Sequence, residues 1–171
     1  MITAPTLYAL CGLPFAGKST TARELAEKVG APIVRLDAIN GERGLGLDGL
    51  PIYAEAYRRL EQALVANSSV IFDHVNFTRA ERDRVRHIAA RYGANVQIVY
   101  VSVTVAEARR RLIANRVTKG RNDVRDDDFE LVVRHFEPPD DEPGSRVARS
   151  PLSVFQGHSA EVPRVPNTSY A

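Results

Sequence analysis

One short stretch limits what this chain can fold into more than any other part of the sequence. Residues 12–19, GLPFAGKS, fit the pattern G-x-x-x-x-G-K-[ST] at every fixed position. A loop of this kind curls its backbone N–H groups around the phosphates of a nucleotide, and glycine lets the chain turn tightly there. The stretch therefore predicts a phosphate-binding loop between a buried strand and a helix.

The flanking sequence has the pattern that such a loop requires. The apolar run from Leu7 to Cys11 has the length of a buried strand. After the loop, Leu25, Ala26 and Val29 recur at helical spacing, and Gly30 is a suitable helix stop. We therefore expect a strand, the loop and a helix in that order.

Side chains within the loop have separate chemical roles. The ammonium of Lys18 can reach the outer phosphates, and the hydroxyl of Ser19 can hold Mg²⁺. The helix that begins here directs its positive end at the same negative charge. The residues that we predict to bind the nucleotide are Gly12, Leu13, Pro14, Phe15, Ala16, Gly17, Lys18, Ser19 and Thr20.

Composition limits the classes of protein to which this chain can belong. A chain of 171 residues corresponds to one domain, and its formal net charge of +2 calls for neither nucleic acid nor an acidic membrane as partner. The single cysteine, Cys11, excludes an internal disulfide and favours a reducing cytoplasm. The N-terminus lacks the pattern of a signal peptide, and no apolar run is long enough to span a membrane.

Strand and helix patterns alternate along most of the chain, which predicts parallel β-α units with helices on both faces of a sheet. The predicted strands are Leu7 to Cys11, Pro32 to Leu36, Val70 to Phe72 and Val96 to Ser102. The predicted helices are Lys18 to Val29, Pro51 to Ala66, Arg79 to Tyr92, Val105 to Asn115 and Asp127 to Phe136. Thr78 and Thr104 are the expected N-caps of two of them. After the acidic, turn-rich residues 137–144, only Leu152 to Phe155 is predicted to form a strand.

Two aspartates directly follow predicted strands, at the edge of the sheet where ligands bind in doubly wound folds. Asp73 ends the run Val-Ile-Phe-Asp and can orient Mg²⁺, although a cap or turn role is the alternative. His74 follows it instead of a second carboxylate, which disfavours a motor-type ATPase. Asp37 can accept the proton of a hydroxyl beside the γ-phosphate, or it can simply cap a helix. The glycine-rich residues 41–49 predict a loop that covers a substrate.

Basic residues are concentrated between positions 109 and 125. Arg109, Arg110 and Arg111 are expected to face water from a helix. Arg116 and Arg121 lie in a polar, glycine-containing stretch of lid length, and a guanidinium delivered there can neutralise charge on a transferred phosphoryl group.

Taken in order, these features resemble a small P-loop kinase of the group that includes the kinase half of polynucleotide kinase, chloramphenicol phosphotransferase and the zeta toxins, an AAA-type ATP-binding, kinase-like family. The resemblance covers about Leu7 to Pro139. Its matching parts are the loop 12–20, Leu36-Asp37, Phe72-Asp73 with residues 76–82, residues 90–94, and Arg111-Leu112 leading to Asn115-Arg116.

The resemblance implies an α/β protein with the three-layer P-loop NTPase fold, in which a mostly parallel sheet has helices on both faces and a lid as in nucleoside-monophosphate kinases. It implies one kinase domain over residues 1–171, with a core at about 5–140 and a C-terminal extension at about 141–171. It also implies binding of ATP and Mg²⁺.

The resemblance assigns roles to individual residues. Lys18, Asp37, Arg116 and Arg121 would be catalytic, with Asp37 as the base. Ser19 would hold the metal. Asp73, for which the strand pattern indicates a metal role, would instead line the acceptor side with Asn76 and bind substrate or hold a basic residue, and the sequence leaves both roles open. His74 is a further candidate neighbour of the acceptor.

One departure bears on the acceptor. Polynucleotide kinase has an arginine three residues beyond its catalytic aspartate, whereas Asn40 stands here and Arg43 is the nearest replacement. Aromatic residues that could stack on single-stranded bases are not interleaved with the basic ones. A nucleic-acid acceptor is therefore disfavoured.

The leading hypothesis is a cytoplasmic kinase that moves the γ-phosphate of ATP to a hydroxyl of a small molecule, with no membrane partner. One alternative is a 5′-hydroxyl polynucleotide kinase. The other is a nucleotide-dependent switch or ATPase without an acceptor, and the absence of an Asn-Lys-x-Asp motif disfavours a guanine switch.

Overall fold

The computed structural model describes residues 4–43 and 50–148, without the side chains of 40–43, 50 and 148. Its strands are β1 Thr6–Cys11, β2 Ile33–Arg35, β3 Val70–Asp73, β4 Asn95–Val101 and β5 Ser145–Ala148. Its helices are α1 Lys18–Val29, α2 Leu36–Arg43, α3 Leu50–Val65, α4 Arg79–Arg91, α5 Val105–Thr118 and α6 Asp126–His135.

The five strands form one sheet in the order β2-β3-β1-β4-β5, and every neighbouring pair runs parallel. Strands β2 and β3, which follow β1 in the chain, lie on one side of it, and the later strands β4 and β5 lie on the other side. The strand order therefore reverses beside β1, which is the position where open α/β sheets bind ligands. The loop 12–17 follows β1 directly, so it lies at this position.

Alternating residues of β1 face two separate parts of the core. Leu7, Ala9 and Cys11 pack in a cluster with residues of α3 and α4, whereas Leu10 packs with Ala22 and Leu25 of α1. These side chains are almost completely buried, and burying one large apolar side chain contributes about 1.5–3 kcal/mol. Helices thus cover both faces, which confirms the predicted three-layer α/β fold.

Several local predictions are confirmed by the elements themselves. Helix α1 begins and ends at the predicted residues, and Gly30 closes it in the left-handed region at φ 66°. Thr78 and Thr104 cap α4 and α5, each accepting a hydrogen bond from the backbone N–H three residues later. Cys11 is buried and free.

Three features differ from the sequence predictions. Helix α2 continues through Gly41 where a loop was expected, because Leu36 and Ile39, one helical turn apart, both point into the core. Strand β5 was not predicted, since it is defined by pairing with β4 rather than by its own apolar pattern. Helix α5 extends to Thr118, so Arg116 lies on the helix and not beyond it.

Other predictions lie outside the described residues. The rest of the glycine-rich stretch, 44–49, and the predicted strand Leu152 to Phe155 are not described, and neither is the side chain of Arg43. No helix within the described ranges is long and apolar enough to cross a bilayer.

Buried arginine Arg82 connects α4 to the segment that leads into β5. Its guanidinium is fully buried and donates to both carboxylate oxygens of Glu142, at 3.0 and 2.5 Å, and to the carbonyl of Asn76 at 2.9 Å. Arg86 donates to the same carboxylate at 2.7 Å. These contacts lower the pKa of Glu142 against the opposing effect of burial, and the pair tethers residue 142 to the helix layer.

Candidate active site

The loop after β1 is held in a conformation that needs glycine at two places. Gly12 has φ 148°, and a Cβ atom built there would come within 2.6 Å of the Val101 carbonyl oxygen. Gly17, at φ 107°, is the N-cap of α1. The conformation and the close approach of β4 together explain why these positions of the motif are glycine.

Phe15 anchors the middle of the loop to the helices beyond the sheet. Its backbone is left-handed, with φ 63°, although it is not glycine. Its buried ring packs in a cluster with Leu112 of α5 and Phe129 of α6. This packing offsets the cost of the unusual backbone, which is of order 1–3 kcal/mol.

Lys18 is a buried cation whose partners are carbonyl groups. Its ammonium donates to the carbonyl oxygens of Leu13 at 2.7 Å and of Gly12 at 3.1 Å. Burial lowers the pKa of Lys18 to about 8, and the carboxylate of Asp73 opposes this shift only in part. No ion pair of Lys18 is found among residues 4–43 and 50–148. The ammonium is thus positioned for an anion.

A cavity of about 240 Å³ opens beside this lysine. Among the predicted site residues that line it are Lys18, Ser19, Asp37, Asp73 and Arg121, which come from four parts of the chain. Pro14 of the loop also lines it, as do residues 122–124 and two residues of α6. The walls therefore come from the loop, from the ends of β2 and β3, and from the segment between α5 and α6.

Asp37 lies in the first turn of α2, directly after β2, and its side chain is exposed at the cavity. A carboxylate there is favoured by the partial positive charge of the helix N-terminus. The position in the first helical turn and the place in the cavity are thus compatible.

His74 lines the same cavity and is held by three neighbours. Its ring lies 5.5 Å from Tyr53 and 5.4 Å from Phe72, measured between centroids. Its Nε2 is 3.9 Å from a carboxylate oxygen of Glu81. The surrounding groups restrict how the ring can turn.

Asn76 is completely buried and is not among the residues that line the cavity. Its side-chain amide donates to the Leu10 carbonyl at 2.7 Å, and its own carbonyl accepts from the Cys11 thiol at 3.3 Å. Nearby, the N–H of Gly12 donates to the carbonyl of Val75 at 3.2 Å. In this structure Asn76 links the end of β1 to the turn after β3.

The two predicted lid arginines lie in different surroundings. Arg121 lines the cavity, and its guanidinium carbon is 4.8 Å from the centre of the Phe15 ring. Arg116 does not line it; its guanidinium donates to Asp126 at 2.9 Å and to Asp123 at 3.2 Å. These contacts raise the pKa of Arg116 and join the end of α5 to the start of α6.

Sequence reasoning missed two arginines near the site. Arg35 lines the cavity from the end of β2. Arg111, which was expected to face water, donates to the carbonyls of Phe15 at 3.4 Å and Ala16 at 3.2 Å. Two signals concerned Arg111, its place in the family resemblance and its spacing from Glu107, but neither of them predicts a contact with the loop.

The donors at the cavity suit a magnesium ion that is held mainly by a nucleotide. The oxygen atoms of Ser19 and Asp73 are hard ligands of the kind that Mg²⁺ prefers. In the described part of the chain, no group of three or more His, Cys, Asp or Glu side chains forms a metal site by itself. Phosphate oxygens and water would have to complete the coordination.

Comparison with known proteins places these features in a family. A family model described as an AAA domain matches residues 7–139. A curated relative, 2′,3′-cyclic-nucleotide 3′-phosphodiesterase of Mus musculus, is 34% identical over 101 residues, which is 55% of this chain and 23% of the relative. The chain therefore spans about a quarter of the length of that relative.

Solved structures with the same fold include two that were determined with nucleotides. Kti12 of Chaetomium thermophilum, solved with ADP-AlF3, superimposes with a TM-score of 0.67 at 18% identity, over 82% of this chain and 87% of that one. The APS kinase CysC of Mycobacterium tuberculosis, solved with AMPPNP and APS, gives a TM-score of 0.62 at 17% identity, over 88% and 95%. The fold is that of the P-loop kinases.

Proposed function

Because the chain belongs to the AAA-domain family whose model covers residues 7–139, we propose that it is an ATP-dependent phosphotransferase. Its acceptor is a hydroxyl group of a small molecule. The observation that carries the proposal is the cavity in which Lys18 and Ser19 meet Asp37. The candidate phosphate-binding residues and a candidate base thus line the same cavity.

The loop and Lys18 would hold the triphosphate. Lys18 exchanges its carbonyl partners at Gly12 and Leu13 for phosphate oxygens, and the positive end of α1 faces the same group. Arg121, placed over the Phe15 ring at the cavity, neutralises charge that develops on the γ-phosphoryl group. Arg116 would act with it only after leaving Asp123 and Asp126.

Transfer then requires one proton movement. The acceptor oxygen forms a bond to the γ-phosphorus while the bond from that phosphorus to the β,γ-bridging oxygen breaks, leaving ADP. The hydroxyl proton passes to the carboxylate of Asp37. His74 and Asp73, which both line the cavity, would contact the acceptor, and Arg43 is a further proposed contact.

Mg²⁺ would be held by Ser19, with Asp73 binding either the ion or the acceptor. When bound, the ion screens the negative charge of the phosphate oxygens. The residues of this chain then orient the acceptor and remove its proton.

The similarity to kinases of known structure supports nucleotide-dependent transfer, and the charge of the cavity supports a small acceptor over nucleic acid. Four acidic residues line the cavity; Asp123 is paired with Arg116 and Asp128 with Arg125. Repulsion of a nucleic acid therefore depends on Asp37 and Asp73. A polyanionic strand would be repelled by these groups unless each were paired.

The test is transfer of label from [γ-³²P]ATP to a library of hydroxyl compounds and to a 5′-hydroxyl oligonucleotide. We expect label on a small acceptor, and we expect Asp37→Asn to reduce its appearance about 10²–10⁴-fold while ATP binding is retained. Asp127→Asn, on α6 outside the cavity lining, is the matched control and should transfer normally.

Two results would contradict the proposal. Release of inorganic phosphate alone, unchanged in Asp37→Asn, would identify an ATPase or switch. Label on the oligonucleotide with steep salt dependence would instead identify a nucleic-acid kinase.

A further inference from the structure

The geometry points to Arg111 as a positioning residue for the phosphate loop. We propose that its guanidinium sets the direction of the loop's backbone groups without touching the nucleotide. This inference deepens the proposed function, since it concerns how the same loop is prepared for a triphosphate, but its first test needs no nucleotide.

Arg111 contacts the loop although the two are far apart in the sequence. It lies on α5, and its Nη1 donates to the carbonyl oxygens of Phe15 and Ala16, 96 and 95 positions earlier in the sequence. The same nitrogen lies 3.9 Å from the position that a Cβ atom would occupy at Gly17. A single side chain thus bonds to two consecutive residues of the loop and lies beside the third.

These contacts decide where the loop's N–H groups point. All peptide bonds of the described residues are trans, so the carbonyl of one residue and the N–H of the next lie on opposite sides of the peptide plane. With the Ala16 carbonyl bonded to Arg111, the Gly17 N–H points away from Arg111. The Phe15 carbonyl likewise orients the Ala16 N–H, which donates to the Leu13 carbonyl at 3.1 Å.

The position of Arg111 is itself fixed. Its Nε donates to the Glu107 carboxylate at 2.6 Å, one helical turn away, and contacts from Arg110 and Arg111 lower the pKa of Glu107 to about 2. The left-handed backbone of Phe15 is held by the bond from Arg111 to its carbonyl and by the packing of its ring. Protein groups alone therefore hold the loop in this conformation.

The same helix provides a matched control. Arg110 donates to Glu107 twice, both at 2.8 Å, but it is exposed and makes no described contact with the loop. Arg111→Gln and Arg110→Gln remove the same charge from the same carboxylate. Only the first removes the contacts to Phe15 and Ala16.

The experiment measures hydrogen exchange of peptides covering residues 12–20 in the nucleotide-free protein, together with AMPPNP affinity and the unfolding temperature. We expect exchange in the loop to rise about ten-fold or more in Arg111→Gln, and AMPPNP to bind about ten-fold more weakly, which is the effect of losing a charged hydrogen bond. Arg110→Gln should match the wild type in both, and Arg111→Lys should fall between, because an ammonium lacks the planar fork.

Loop exchange at the wild-type rate in Arg111→Gln would overturn the inference, and so would equal acceleration in Arg110→Gln. Acceleration spread evenly over β1 and α4 would also overturn it, since that result means general stabilisation rather than positioning. A wild-type protein that fails to bind AMPPNP would refute the proposed function alone, while the exchange result would still decide the role of Arg111.

Discussion

Lys18 and Arg82 are both buried cations close to the end of β1, yet their surroundings are opposite. Arg82 is surrounded by protein groups, with the Glu142 carboxylate bonded to two of its nitrogens and a carbonyl to a third. Lys18 bonds only to loop carbonyls, and burial lowers its pKa to about 8. Cys11 lies between them, and its pKa is raised to about 11, mainly by burial.

The difference predicts that Arg82 is a structural cation and that Lys18 is a functional one. Burying a charge costs several kcal/mol unless a partner compensates for it, and Arg82 has that partner within the fold. Lys18 does not, so part of its desolvation cost remains until an anion binds. Three predictions test this contrast.

The largest expected effect follows from removing the partner of Arg82. Glu142→Gln leaves a buried guanidinium facing a neutral amide, and we expect the free energy of unfolding to fall by about 3–5 kcal/mol. Urea unfolding at neutral pH measures this loss. Glu130→Gln, which breaks the half-exposed pair with Arg109, is the control and should change the free energy of unfolding by less than about 1 kcal/mol. Similar losses of unfolding free energy in both variants would show that Arg82 does not depend on its buried partner more than an exposed arginine does.

A second prediction concerns Lys18 itself. Lys18→Met keeps the length of the side chain and removes its charge, so we expect AMPPNP to bind about a hundred-fold more weakly, or about 2.7 kcal/mol. The free energy of unfolding should stay the same or rise, because no buried charge is left to desolvate. Calorimetric titration and urea unfolding measure the two quantities.

The matched control is Lys28→Met, an exposed residue at the other end of the same helix. It should bind AMPPNP like the wild type. A Lys18→Met protein that loses several kcal/mol of stability would show that this lysine is structural, as Arg82 is.

The smallest effect is a pH dependence. With a pKa of about 8, Lys18 is mostly neutral in the unliganded protein at about pH 9, and a bound triphosphate would restore its proton. Nucleotide binding should therefore take up close to one proton at that pH and almost none below about pH 7. Above pH 8 the affinity should fall by up to about ten-fold per pH unit.

Titration in two buffers with different ionisation enthalpies measures this uptake. Lys18→Met should show none at either pH. Equal uptake by the variant would assign the proton to another group.

The features that the sequence predicted correctly depend on patterns among residues close together in the chain. The loop and α1 follow from one contiguous motif with a strand before it and a glycine stop after it, and the capping threonines act on residues three positions away. The fold class follows from alternation of such local patterns. Each of these features depends on neighbours in the chain.

The features that could not be predicted depend on distant partners. Strand β5 pairs with β4 more than forty positions earlier, and its own residues carry no strand pattern. The acceptors of Arg111 are backbone carbonyls, which no residue type in the sequence marks. Arg35 lines the cavity because β2 pairs with β3, which sets Arg35 opposite Asp73. The predicted roles of the site residues remain predictions for the experiments above.

The bonds that join the end of β1 to the turn after β3 have a practical consequence for engineering. The Gly12 N–H bonds to Val75 and the Asn76 amide bonds to Leu10, and neither contact involves α2 or α3. Helices α2 and α3 still belong to the framework, because their buried residues, which include Ile39, Ile52 and Leu60, pack in one cluster with Leu7 and Ala9 of β1. Libraries aimed at a new acceptor should therefore vary only the positions of α3 that lie outside this cluster, so that the core and the bonds between β1 and the turn after β3 are both kept.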